Sequence, residues 1–301
     1  MMEAQREYRL HHYLWHQVRN QWLAYNETTR QALRNLGWEP PRPAREYDED
    51  GSSRPIYDND SGEDFLFMHR QMILHVNKKL LEIQDPLYPK IEGWKNIPPP
   101  DDKDYPIPPE WDTGDSDLND RLKEWKSDKY YVTQLKQWEN QYTDRNYLSQ
   151  ISLGEFGSRL EYTIHNRMHM RWASKPKEDR PDVDPAKPYS IDIRWDDPAY
   201  DYLGDTYSSH VNDVFWKIHG WVDNRIEDWK NAHEITGPIQ WKGTWVGQMP
   251  HHPMTDSLHA MLTIKEENLH EESHTDVMLR ALNIIQKANK FYKFYMVDTN
   301  L

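Results

Sequence analysis

The segment Leu160-Glu161-Tyr162-Thr163-Ile164-His165-Asn166-Arg167-Met168-His169 decides how the fold is read. Within a helix over about 158 to 172, Glu161, His165 and His169 fall at successive i, i+4 steps along one face. Two imidazoles so placed can share one metal ion. A His-x-x-x-His pair alone is also common as a plain surface or core pair, so the segment needs a partner elsewhere in the chain.

That partner lies downstream, in Ser208-Ser209-His210-Val211-Asn212-Asp213-Val214-Phe215-Trp216-Lys217-Ile218-His219-Gly220-Trp221-Val222-Asp223. Val211, Val214, Phe215, Ile218, Val222, Ile226 and Trp229 recur at helical spacing and predict an amphipathic helix over about 211 to 229. Working outward, residues 5 to 36 read as one long helix before Gly37 and the Pro40-Pro41 stop. The stripe Phe65, Met68, Met72, Ile73, Val76 and Leu80 predicts a helix over about 63 to 83 that also carries His69. A polar, Trp-bearing helix is expected over 116 to 139, and a final helix over 269 to 292. Irregular stretches rich in Pro and Asp occupy 43 to 64, 84 to 118 and 175 to 208. Short strands are expected at 189 to 195 and 240 to 246. The fold class is therefore mainly α, with long irregular loops and few short strands, in a single domain over 1–301.

Composition narrows the chemistry. Fifty acidic residues against 37 basic give a net charge of −13, which argues against nucleic acid or an anionic membrane as partner. There is no apolar run long enough to span a bilayer. The N-terminus MMEAQREYRLHH lacks the apolar stretch and small-residue cleavage site of an export signal, so the expected location is cytoplasmic. The 14 Trp, 18 Tyr and 11 Met supply bulky burial that disordered chains lack. Cysteine is absent, which excludes disulfides and thiolate ligands and leaves the 15 His and the carboxylates to hold any metal.

Taken together, the two His segments resemble the CuB signature of the tyrosinase and polyphenol oxidase family of type-3 copper proteins. That signature is an acidic residue, His-Asn-x-x-x-His, a loop, and a helix with Asn-Asp, Phe-Trp, His and Asp at fixed offsets. The resemblance implies a tyrosinase-like helical bundle in which His165, His169 and His219 hold the second copper. Phe215 and Asp223 keep their offsets, and Ile218 stands where the family usually has a second, non-ligating His. Glu161 and Asn166 take the places of a water-holding pair that helps deprotonate a phenol, whose pKa is about 10; Met170 would be substrate-lining. The bland alternatives are a solvated Glu161 and a helix-packing Asn166.

The segment Phe65-Leu66-Phe67-Met68-His69-Arg70 is similar to the family's Phe-Leu-x-Trp-His-Arg, with Met68 in place of Trp, and makes His69 a ligand of the first copper, CuA. The family's second CuA ligand falls on Asp60, and no His lies between His16 and His69. Two rescues are open: Asp60 ligates as a carboxylate, or the N-terminal group His11, His12 and His16 folds onto the site, with His12 and His16 at i, i+4. The alternative is that these three are surface histidines. The resemblance covers about 60 to 230, with 231 to 301 a C-terminal extension packing on the same domain.

The resemblance implies copper as cofactor, two ions if CuA is completed and one otherwise. It implies O2 and a small phenol as substrates, with ortho-hydroxylation of a monophenol or oxidation of a catechol to a quinone. A remodelled mononuclear metal enzyme and a non-catalytic relative are the competing readings. His270-Glu271-Glu272-Ser273-His274 also satisfies the zinc-protease pattern His-Glu-x-x-His, but in a stretch crowded with Glu and His it reads as an exposed acidic helix.

Overall fold

The computed structural model describes residues 6–175, 201–248 and 274–288. Over these the chain is mainly helical, as the periodicity predicts. The helices are α1 (Arg6–Gln21), α2 (Glu27–Arg34), α3 (Ser61–Ile83), α4 (Ser116–Lys126), α5 (Asp128–Tyr130), α6 (Lys136–Thr143), α7 (Arg145–Leu148), α8 (Leu153–Leu160), α9 (Asn166–Trp172), α10 (Asp213–Ala232) and α11 (His274–Ala288). Two wide π-turns, Tyr131–Leu135 and Glu161–His165, join α5 to α6 and α8 to α9. A short antiparallel hairpin, β1 (Arg45–Tyr47) with β2 (Ser53–Pro55), interrupts the stretch expected to be irregular.

Three expectations change. The single helix over 5 to 36 is two, because Asn26 accepts a hydrogen bond from Thr29 N at 2.9 Å and starts α2 as its N-cap. The helix over 116 to 139 breaks at Ser127, whose side chain accepts from Tyr130 N. No strand forms at 240 to 246, because its backbone donors go elsewhere. Lys242 N and Gly243 N donate to Glu63 Oε2 at 2.6 and 3.0 Å, and Trp245 N donates to Asp64 Oδ1 at 2.9 Å. Carboxylates in the first turn of α3 thus replace a ladder partner. The strand expected at 189 to 195 lies outside the described residues, as do 269 to 273 and 289 to 292 of the expected last helix.

The core lies where α1, α3, α9 and α10 meet. Leu10, Leu14, Trp15 and Val18 of α1, Phe65 and Leu66 of α3, and Phe215, Ile218, Val222 and Ile226 of α10 are fully buried. α3 and α8 touch backbone to backbone at glycines. A Cβ on Gly62 would lie 2.0 Å from Gly154 O, and one on Gly157 would lie 2.1 Å from Gly62 O. α11 buries Met278, Ala281, Leu282 and Ile285 and packs on α1 and α2.

The glycine contact gives a stability test. Gly157→Ala is expected to cost about 3 kcal/mol or more through overpacking, although Ala is intrinsically the better helix former by roughly 1 kcal/mol. Gly237→Ala, whose Cβ would meet nothing within 4 Å, should stay within about 0.5 kcal/mol of the parent. Urea midpoints measure both, and equal midpoints would mean that α3 and α8 do not touch there.

Candidate metal centre

His165 closes the second π-turn, His169 lies one turn on in α9, and His219 projects from α10; all three are fully buried. His165 Nε2 is 3.2 Å from His219 Nε2 and 3.2 Å from His169 Nε2. Each ring is anchored through its other nitrogen. His169 Nδ1 donates to Leu203 O at 3.0 Å, His219 Nδ1 to Phe215 O at 2.7 Å, and His165 Nδ1 to the Asn166 side-chain oxygen at 3.1 Å.

These anchors determine the tautomers. A carbonyl oxygen can only accept, so each neutral ring carries its proton on Nδ1 and presents a bare lone pair at Nε2. Burial, then the neighbouring imidazoles, hold His165 well below the usual histidine range, and the same causes act on His219; burial lowers His169 to about 3. The rings are therefore neutral at pH 7, and three lone pairs converge with no proton between them. Such an arrangement is repulsive until a cation occupies its centre. The spacing suits one, since metal–nitrogen bonds of about 2.0 Å in a tetrahedral site separate the nitrogens by roughly 3.3 Å.

A second group adjoins the first. His12 and His16 of α1 have ring centroids 4.8 Å apart, and His69 of α3 lies 5.5 Å from His12 and 5.4 Å from His16. All three are buried, and the Nε2 of each has no hydrogen-bond partner. The Nδ1 atoms of His69 and His12 are anchored as in the first group, and that of His16 faces a carboxylate. His69 Nδ1 donates to Phe65 O at 2.8 Å, His16 Nδ1 faces Glu161 Oε1 at 3.6 Å, and His12 Nδ1 lies 3.1 Å from Thr206 O and 2.8 Å from His210 Nε2. The groups meet where the His69 and His219 rings stack in parallel at 4.9 Å. His219 joins both, since ligand atoms of His12, His69 and His219 lie within 4.8 Å of one another, as do those of His165, His169 and His219.

The two halves are built alike. A Phe four residues before the last histidine accepts that histidine's Nδ1 hydrogen and covers its ring, Phe65 on His69 at 4.3 Å and Phe215 on His219 at 4.0 Å. Arg70, next to His69, ties α3 to α10 through Asp223 at 2.8 Å and Glu227 at 2.9 Å. Six imidazoles with no carboxylate among them suit copper, zinc, iron or nickel better than magnesium or calcium.

The other expected residues are placed as follows. Asp60 sits before the first turn of α3 in a left-handed conformation, with its carboxylate 3.6 Å from Lys242 Nζ, two turns away from His69. It does not join the cluster. His11 turns aside, its Nε2 donating to Val246 O at 2.7 Å. Glu161 opens the π-turn that His165 closes, and its carboxylate is directed to α1. Both its oxygens accept from Arg19, at 2.7 and 2.8 Å. Burial pushes Glu161 up, but Arg19 and His16 outweigh it and hold the carboxyl below its ordinary value. Met170 is buried, and a Cβ on Gly204 would lie 2.9 Å from its sulfur. Arg19 and His210 belong to the site although no motif pointed to them, since each works through a contact between distant segments. Of the His-Glu-x-x-His pattern, 270 to 273 lie outside the described residues.

No family model matches the chain, and no curated protein is significantly similar to it. Among the described residues, no helix is long and apolar enough to cross a membrane.

Arg19 is fully buried, and besides Glu161 it donates to Ser61 O at 2.8 Å. Glu161→Gln should therefore leave a buried cation without its counter-charge and cost about 3–5 kcal/mol, read from urea unfolding of the metal-free protein. A variant as stable as the parent would show that the pair is not formed.

Proposed function

We propose that the protein is a tyrosinase-like copper oxidase that uses O2 on a small phenol. One observation carries this reading: buried imidazoles form two overlapping groups, His165, His169 and His219, and His12, His69 and His219, whose ligand atoms lie within 4.8 Å of one another, with His16 beside the second. His165, His169 and His219 would hold one ion, and His12 and His69, with His16 as the neighbouring third imidazole, the other. This completes the first half with the N-terminal histidines rather than with Asp60. Copper bound there would supply one electron from each ion, the two that O2 and a catechol exchange.

The chain's own groups prepare that chemistry. Phe65 and Phe215 cover the rings of His69 and His219 and keep water from their faces. The Phe65, Phe215 and Leu203 carbonyls fix ring orientation and raise the basicity of the ligating nitrogens. Glu161 orients His16 and offsets the buried Arg19, a role that leaves neither oxygen free to hold a water for the substrate. Asn166 orients His165 and is the partly exposed amide beside that ring, so it is the group placed to hold a water near an incoming phenol. Met170 remains the residue beside the proposed substrate position. The absence of carboxylates from both groups favours copper over the harder ions, and the resemblance in sequence selects copper over zinc.

Copper counting with oxygen uptake tests the proposal. The parent should bind two copper ions per chain and consume O2 with phenol or catechol. His219→Ala should lose the second site, and His12→Ala should retain about one copper; each should reduce oxygen uptake more than a hundredfold, beyond the roughly 10–100-fold typical of groups behind the ligands. A parent that binds one copper, or a His12→Ala variant that turns over normally, would remove the two-copper mechanism.

A further inference from the structure

Beside His12 lies a cavity of about 40 Å³ whose wall includes Met68, Gln71, Met72, His75 and His210, and to which none of His165, His169 and His219 contributes. At roughly 10–15 Å³ for each water-sized sphere, it has room for a few waters or a single ion and none for a phenol ring. Its lining is graded. Gln71 and His75 are partly exposed at the outer end, Met72 and Met68 are buried, and His12, with its unpartnered Nε2, is nearly inaccessible.

Met68, Met72 and His75 follow one another at i, i+4 and i, i+3 steps and so share a face of α3. Methionine in a core ordinarily fills a gap, because its flexible chain adapts to irregular space. Both methionines belong to the core, and both also border the open cavity, so packing is not the sole role open to them. Thioethers are soft donors that select copper(I) and compete poorly for harder ions. At position 68, moreover, the family motif that this segment resembles carries a Trp, which offers no donor to a metal.

We propose that Met68, Met72 and His75 form a reception site for copper(I), from which the ion passes to His12 in the first metal site. The inference rests on the copper reading above. It assigns to α3 two roles on neighbouring faces: His69 retains the ion, and the methionine face admits it. The transfer exchanges weak thioether ligands for imidazoles and involves no change of oxidation state.

The test uses the full chain, stripped of metal and then offered copper(I) as its bicinchoninate complex. The Met68→Leu/Met72→Leu double variant keeps side-chain volume and removes both sulfurs. It should reach the same copper content as the parent but load roughly tenfold more slowly, a loss at the low end of the range for groups that support a metal site. Silver(I), a redox-inert stand-in for copper(I), added to the copper-loaded parent should show sulfur ligands in its X-ray absorption spectrum. Loading of the variant at the parental rate, or silver bound by nitrogen and oxygen alone, would overturn the reception site and leave the oxidase reading intact. Should the variant fail to fold, the silver spectrum of the parent decides by itself. A parent that takes up no copper removes the oxidase reading and this inference with it.

Discussion

Lone pairs that face one another in a dry core are the constraint on which the rest of this molecule depends. Each imidazole is neutral because burial disfavours its charged form, and His12, His69, His165, His169 and His219 each engage an acceptor behind the ring through Nδ1. The nitrogens at the centre then have nothing to bind except a cation. A core made this way is costly without metal, so part of the free energy of metal binding is expected to appear as folding stability. The surrounding Phe65, Trp15, Phe215 and Met168, all fully buried, form the apolar shell that keeps water from substituting for the ion.

Holding lone pairs in opposition demands rigid supports, and the supports are main chain wherever possible. Carbonyls of Phe65, Phe215 and Leu203 anchor three rings. They cannot change protonation or rotamer, as a side-chain partner could. The helices that carry the Phe65 and Phe215 carbonyls are located by close contacts: glycine backbones at the α3–α8 crossing, and the Arg70–Asp223 pair between α3 and α10. Where a side chain must serve, as Glu161 does for His16, it is locked in turn by Arg19. Arg19 comes from the same helix as His16, so α1 brings both a ligand and the cation that fixes that ligand's partner.

How much of this can be read from the sequence depends on how local each relationship is. His165–His169 and Phe215–His219 are four-residue relationships within single helical segments, and both are legible. The same Phe-x-x-x-His spacing recurs at Phe65–His69, so the similarity of the two halves is written in the chain. His12 and His16 also stand at helical spacing, but nothing near them says that α1 crosses His69, and a surface position is equally consistent with their sequence. Asp60 shows the opposite error. It occupies the right offset from His69 in a family pattern, yet it lies before the first turn of a helix that carries it away from the cluster.

Glu161 shows why a correct helix and a correct spacing still leave a side chain's partner undetermined. In regular α-helix, Glu161, His165 and His169 would face one way, and a carboxylate beside two ligands would be free to handle a proton. In the π-turn over Glu161–His165, Glu161 meets the buried Arg19 of α1, while His165 and His169 meet each other and His165 meets His219 of α10. No composition or periodicity marks this partner, because the contact joins distant segments: Arg19 has no other carboxylate within hydrogen-bonding reach among the described residues. The His165–His169 pair that could hold a metal is therefore a property of local spacing, whereas the groups around it depend on which distant charge requires a partner.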